Sequence, residues 1–214
     1  MSEEIRKAAS VIAVRDDPQG PQVLVVERST ESRFLPGYVV FPGGAVDTDD
    51  AVLAASWFGT PAEAARAAAV RELAEEAGLV LTGRGLELVT GSDPVGPTAA
   101  SPPGPEQLHE LAHWIAPDDV PVRFDARYFA VAAPGSLEPV ADGAEAARAW
   151  WATPKSLLAE WESGERKLYW PTLLTVTELA RCRSVAELMA LAIETREPDD
   201  DEVDRLPRSV FWQD

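Results

Sequence analysis

The sequence predicts an α/β or α+β sandwich, and three observations carry that prediction. Short runs rich in Val and Ile are bounded by turn residues, one breaker-free segment of helical length is capped at both ends, and a later aromatic segment alternates as a strand does. Strands interleaved with single helices disfavour all-α and all-β architectures.

Residues 8–15 (AASVIAVR) and 22–28 (QVLVVER) are strand-forming, and the Asp-Asp-Pro-Gln-Gly turn at 16–20 joins them as a hairpin. Residues 34–44 hold a short strand between proline and glycine punctuators. The acidic stretch Asp47-Thr48-Asp49-Asp50 follows; it reads as a solvated turn capping a short helix at 51–57, with cation binding as the alternative. Thr60-Pro61-Ala62-Glu63 is a capping box with proline at the first helical position. The run Ala64 to Ala77 has no breaker and Gly78 stands at the C′ stop, so a helix is expected over 61–77. Further strands are expected at 86–90, 122–132 and 146–151, and further helices at 105–115, ended by Pro117, and at 154–162, 171–181 and 184–195. Residues 91–105 read as a Pro/Gly/Ser loop. These elements make one domain over 5–195, while 196–214 is an acidic, flexible tail whose Val210, Phe211 and Trp212 offer a docking group.

Composition excludes several function classes. With 36 acidic against 19 basic residues the net charge is -17, which disfavours a grip on a nucleic-acid backbone. No apolar run is long enough for a membrane helix, and the start MSEEIRKAAS lacks a signal-peptide profile, so a cytoplasmic protein is expected. The single cysteine, Cys182, rules out an intramolecular disulfide. So acidic a chain repels phosphorylated small molecules unless something positive sits in its site.

The 61–77 helix gathers acid on one face. Glu72, Glu75 and Glu76 fall within about 100° of arc, beside an apolar face of Val70, Leu73, Ala74 and Ala77. Glu72 and Glu76 are like charges at i, i+4, and Glu75 and Glu76 oppose the macrodipole at the helix end. A divalent cation with hard oxygen ligands reverses both penalties, and Mg²⁺ fits that description. Arg71 can pair with Glu75 or reach the loop before the helix.

The run Arg71-Glu72-Leu73-Ala74-Glu75-Glu76-Ala77-Gly78-Leu79 resembles the second half of the Nudix box, G-x5-E-x7-R-E-U-x-E-E-x-G-U with U apolar. Glu63 stands eight residues before Arg71, and Gly43-Gly44 resembles the opening glycines, with 18 residues instead of five between Gly44 and Glu63. The resemblance implies a Nudix-type α/β/α sandwich with a mixed β-sheet and extra C-terminal helices, interrupted by an insertion at about 45–60. It also implies Glu72, Glu75 and Glu76 as metal ligands for Mg²⁺ or Mn²⁺, Arg71 as the residue orienting them, and a homodimer. Glu63 falls about 180° from Glu72 on an ideal helix and is explained by its capping role. The segment Arg33-x3-Gly37-x3-Phe41-Pro42-Gly43-Gly44 is similar to half of the signature of coenzyme A diphosphatases within that family. That likeness implies hydrolysis of the diphosphate bond in CoA or acyl-CoA, with ADP-ribose or NADH hydrolysis and a non-catalytic ligand-binding regulator as alternatives. Arg28 and Arg33 are then candidates for substrate phosphates beside Gly43 and Gly44. Glu145, ahead of the Trp150-Trp151 strand, is the candidate general base, with Glu138 and Glu72 as rivals. Both tryptophans are expected to pack in the core.

A competing motif is His109-Glu110-Leu111-Ala112-His113, which spells H-E-x-x-H on the expected 105–115 helix, the pattern of a zinc protease with Glu110 as base. Its third ligand is missing from the metzincin position, which holds Asp119, leaving Glu138 or Glu145 for that role.

Overall fold

A computed structural model describes residues 5–116 and 123–194; the acidic tail assigned to 196–214 lies outside the described residues. The sheet is mixed. β1 (Arg6–Arg15) is its central strand, running parallel to β8 (Phe124–Ala132), which is antiparallel to the edge strand β7 (His109–Ile115). The expected hairpin exists, but β1 and β2 (Gln22–Arg28) pair only at Val14–Val23 and Arg15–Gln22. Beyond that point the strands diverge. The short strands β3 (Val39–Val40) and β4 (Gly43–Ala45) fill the wedge, β3 on β2 and β4 on β1, while β9 (Ala146–Ala152) lines the far side of β2.

Strand alternation sends odd and even residues of β1 into two separate cores. Ala9, Val11 and Ala13 pack with α1 (Thr48–Phe58) and α2 (Ala64–Ala77) on one face. Ile12 and Val14 pack on the other with α4 (Pro154–Glu162), α5 (Trp170–Leu179) and α6 (Val185–Met189). The sheet therefore lies between helical layers, as an α/β/α sandwich requires. Trp151 is buried on the α2 side under Arg15, and Trp150 is half-buried on the opposite face between Arg148 and Arg166.

The expected 61–77 helix forms as a 3₁₀ turn, Pro61–Glu63, continuing into α2, and Gly78 closes it in the left-handed region with its N–H donating to Leu73 O. The insertion builds α1, where Asp47 and Asp50 form a reciprocal cap. Two expectations fail. Residues 105–115 are not a helix: a 3₁₀ turn at Pro105–Gln107 leads into β7, because Leu111, Ala112 and Trp114 are buried only when this segment pairs with β8. The 184–195 helix shrinks to α6. The chain also makes a separate hairpin, β5 (Leu79–Thr82) with β6 (Gly85–Leu88), of which only the second strand was expected, and α3 (Gly96–Ala100) forms inside the 91–105 loop. Among the described residues no helix is long and apolar enough to cross a membrane.

Candidate active site

β4 replaces β2 beside the first half of β1, and that substitution brings α2 to the sheet edge. Gly44 is where they touch: a Cβ there would lie 2.3 Å from Glu72 Oε1, so only a glycine lets the carboxylate pass. The neighbouring Gly43 N–H donates to Glu76 Oε2 at 3.0 Å. Arg28, at the end of β2, places Nη1 3.6 Å from Glu76 Oε1 and donates from Nε to Phe34 O.

Arg71 is held from four sides. Its Nε and Nη2 donate to the two oxygens of Asp50 at 2.9 and 3.0 Å, a bidentate pair in which Asp50 is 1% exposed. Its Nη1 donates to Glu72 Oε1 at 2.8 Å and Glu75 Oε2 at 2.9 Å, and Nη2 also reaches Ala45 O. Both contacts anticipated from sequence, to Glu75 and to the preceding loop, are present together.

Two of the three carboxylates are buried. Desolvation pushes the Glu76 carboxyl up to about 8, opposed by the Gly43 N–H and by Arg28 and reinforced by Glu72 and Glu145. Burial also raises Glu72, against the pull of Arg71, and Glu75 and Glu145 add repulsion. Paired buried acids of this kind mark a place where positive charge is missing. The donor set is all hard oxygen, which suits Mg²⁺ or Mn²⁺. Among the described residues, no three acidic, His or Cys side chains are grouped to hold an ion as they stand, since Glu75 is turned onto Arg71.

Of the three carboxylates, Glu72 faces a cavity of about 340 Å³ between β1, β8, the 28–35 segment and the start of α5, and Glu76 lies behind Gly43 at its edge. Glu72, Glu145, Arg28, Gly43 and Gly44 all line it. Five sequence candidates lie elsewhere. Glu63 is on a different cavity, paired with Arg66, and Thr60 Oγ1 accepts from Ala62 N, so the Thr60–Glu63 capping box does not close. Arg33 is exposed and does not line the cavity. Glu138 is paired with Arg15. His109 and His113 sit on a strand, where four residues span roughly 13 Å, too far for one zinc. His109 contacts Leu191 O and His113 contacts Asp125, so the zinc-protease reading fails.

Sequence reasoning missed Asp50. The signal was available in the spacing Gly44-x5-Asp50, which preserves the opening of the box if the extra residues fall between Asp50 and Arg71 and not between Gly44 and the first acid.

A mixed sheet between helices, with a glycine-lined strand meeting an acidic helix, defines the class of molecule. The NUDIX domain family model matches residues 5–170, and the chain belongs to that family. It is 30% identical over 197 residues to a Caenorhabditis elegans protein provisionally named nudix hydrolase 7, a match taking in 83% of this chain and 61% of that protein. This chain thus spans about three-fifths of that relative's length. The crystal structure of a NUDIX hydrolase from Alicyclobacillus acidocaldarius is similar with a TM-score of 0.77 and 32% identity, over 91% of this chain and 100% of that one. The NUDIX domain of Shewanella oneidensis NrtR, crystallised with ADP ribose, shares the fold at a TM-score of 0.53 and 14% identity, over 84% and 88% of the two chains.

Proposed function

We propose that this protein hydrolyses the diphosphate bond of a nucleoside diphosphate linked to another moiety, and that CoA or acyl-CoA is its substrate. The observation that carries the reading is the buried Glu72–Glu76 pair, with Glu72 braced by Arg71 on the wall of a cavity that Gly43 and Gly44 also line. Glu72 and Glu76, joined by Glu75 once it leaves Arg71, would hold Mg²⁺ or Mn²⁺. Such an ion supplies charge neutralisation on the diphosphate oxygens and Lewis-acid polarisation. Asp50 fixes Arg71, and Arg71 fixes Glu72, so the first carboxylate is oriented before substrate arrives. Arg28 steadies Glu76 and turns its remaining positive charge toward a substrate phosphate. Glu145, exposed on the cavity wall, takes the proton from the attacking water.

The choice of CoA rests on the Arg33-to-Gly44 signature; Arg33, being exposed, would meet a substrate group outside the cavity. The test is a chromatographic product assay on CoA, an acyl-CoA, ADP-ribose and NADH, with Mg²⁺ or Mn²⁺ and with chelator. Chelator-sensitive release of 3′,5′-ADP from CoA is the expected result. Cleavage confined to ADP-ribose or NADH overturns the CoA assignment, and tight binding without turnover moves the reading to a ligand-binding regulator.

A further inference from the structure

The cavity floor is graded along two strands. β1 and β8 run parallel, and their even residues pair across the floor as Arg6 with Phe124, Ala8 with Ala126, and Ser10 with Tyr128. Arg6 and Phe124 stand at one end and Ser10 and Tyr128 at the other, with only two methyl groups between. Central strands of a covered sheet normally carry bulky apolar residues. Ala8 and Ala126 instead remain partly open to solvent on the cavity side. Aromatic rings wall the same cavity: Phe34 lies 5.3 Å from Phe124 and 6.1 Å from Tyr169, centroid to centroid.

From this geometry we infer that the Ala8–Ala126 floor and the Phe34, Phe124 and Tyr169 rings form a slot for a flat heteroaromatic ring, the adenine of the substrate's nucleoside half. The inference rests on the proposed diphosphatase reading, because CoA, ADP-ribose and NADH all carry adenosine. A planar base satisfies an apolar, ring-walled slot through stacking and asks little hydrogen bonding of it. The flexible pantetheine arm, with two amides, is a poor match. At the Ser10 end the Tyr128 hydroxyl is already engaged by Thr172 and Ser10. The two alanines therefore determine specificity by their smallness, and the 29–38 loop contributes through Phe34.

The test needs no turnover. Equilibrium binding of AMP, ribose 5-phosphate and pantetheine 4′-phosphate is measured by calorimetry on wild type, Ala126→Leu and Phe34→Ala, with unfolding midpoints as a folding control. Wild type is expected to prefer AMP over ribose 5-phosphate by about tenfold, the effect of one stacked base. Ala126→Leu fills the slot and removes that preference while leaving ribose 5-phosphate affinity unchanged. Phe34→Ala, at a half-buried loop position, removes most of it as well. Equal wild-type affinities for AMP and ribose 5-phosphate overturn the slot, as does a loss in Ala126→Leu confined to pantetheine 4′-phosphate. Glu76→Gln separates the two proposals: it is expected to lower hydrolysis by about a hundredfold or more and keep the AMP preference.

Discussion

Asp50 and Arg71 are 21 residues apart in sequence, yet two parallel hydrogen bonds join them behind Glu72 in the proposed site. Asp50→Asn keeps the shape and loses the charge, and should lower kcat by about 10–100-fold, as loss of a partner behind a ligand does. Asp50→Ala leaves a guanidinium only partly paired in a buried setting and should cost about 3 kcal/mol in urea unfolding. Glu63→Gln is the contrast: paired with Arg66 on another cavity, it should leave turnover within about twofold, since no group there reaches the reacting atoms. Glu76→Gln should keep the fold and reduce hydrolysis by about a hundredfold or more, read as initial rates at saturating Mg²⁺. Near wild-type rates in that variant would refute the site.

At the scale of elements, what was legible in the sequence is what is local. The Pro61 start, the Gly78 stop and the α4 boundaries at 154 and 162 depend on neighbours a few residues away, and they stand where expected. Gly78 takes φ 63° and lies against Val140 O, so Gly78→Ala should cost about 1 kcal/mol or more in thermal or urea unfolding without altering kcat. β7 was misread because a short run of apolar and polar residues fits either period, and the choice is made by β8, which offers the unpaired edge. The carboxylate face of α2 was legible from 100° geometry. The roles of Gly44 and Asp50 were not, because each depends on an approach between separate elements that no spacing within α2 encodes.

For the whole molecule, the buried acids couple stability to pH. A carboxyl raised in the folded state binds its proton more tightly there than in the unfolded chain, so stability falls as pH rises from the unfolded value, near 4.5, through about 8. Glu72, also raised, acts in the same direction. In chelator, the melting temperature should therefore decline from pH 5.5 to 8.5, and Mg²⁺ should raise it by an increment that grows with pH. Glu76→Gln should flatten both trends in a scanning-fluorescence titration. Another molecule-wide consequence comes from the strand at the centre of the sheet. β1 takes its longest partner from a segment 118 residues further along, Arg6 against Phe124. On the ribosome, then, the first strand and the acidic helix emerge well before the neighbour that completes them. An apolar ribbon is therefore left without its main partner until β8 has been made, which puts the β1–β8 pairing late in folding.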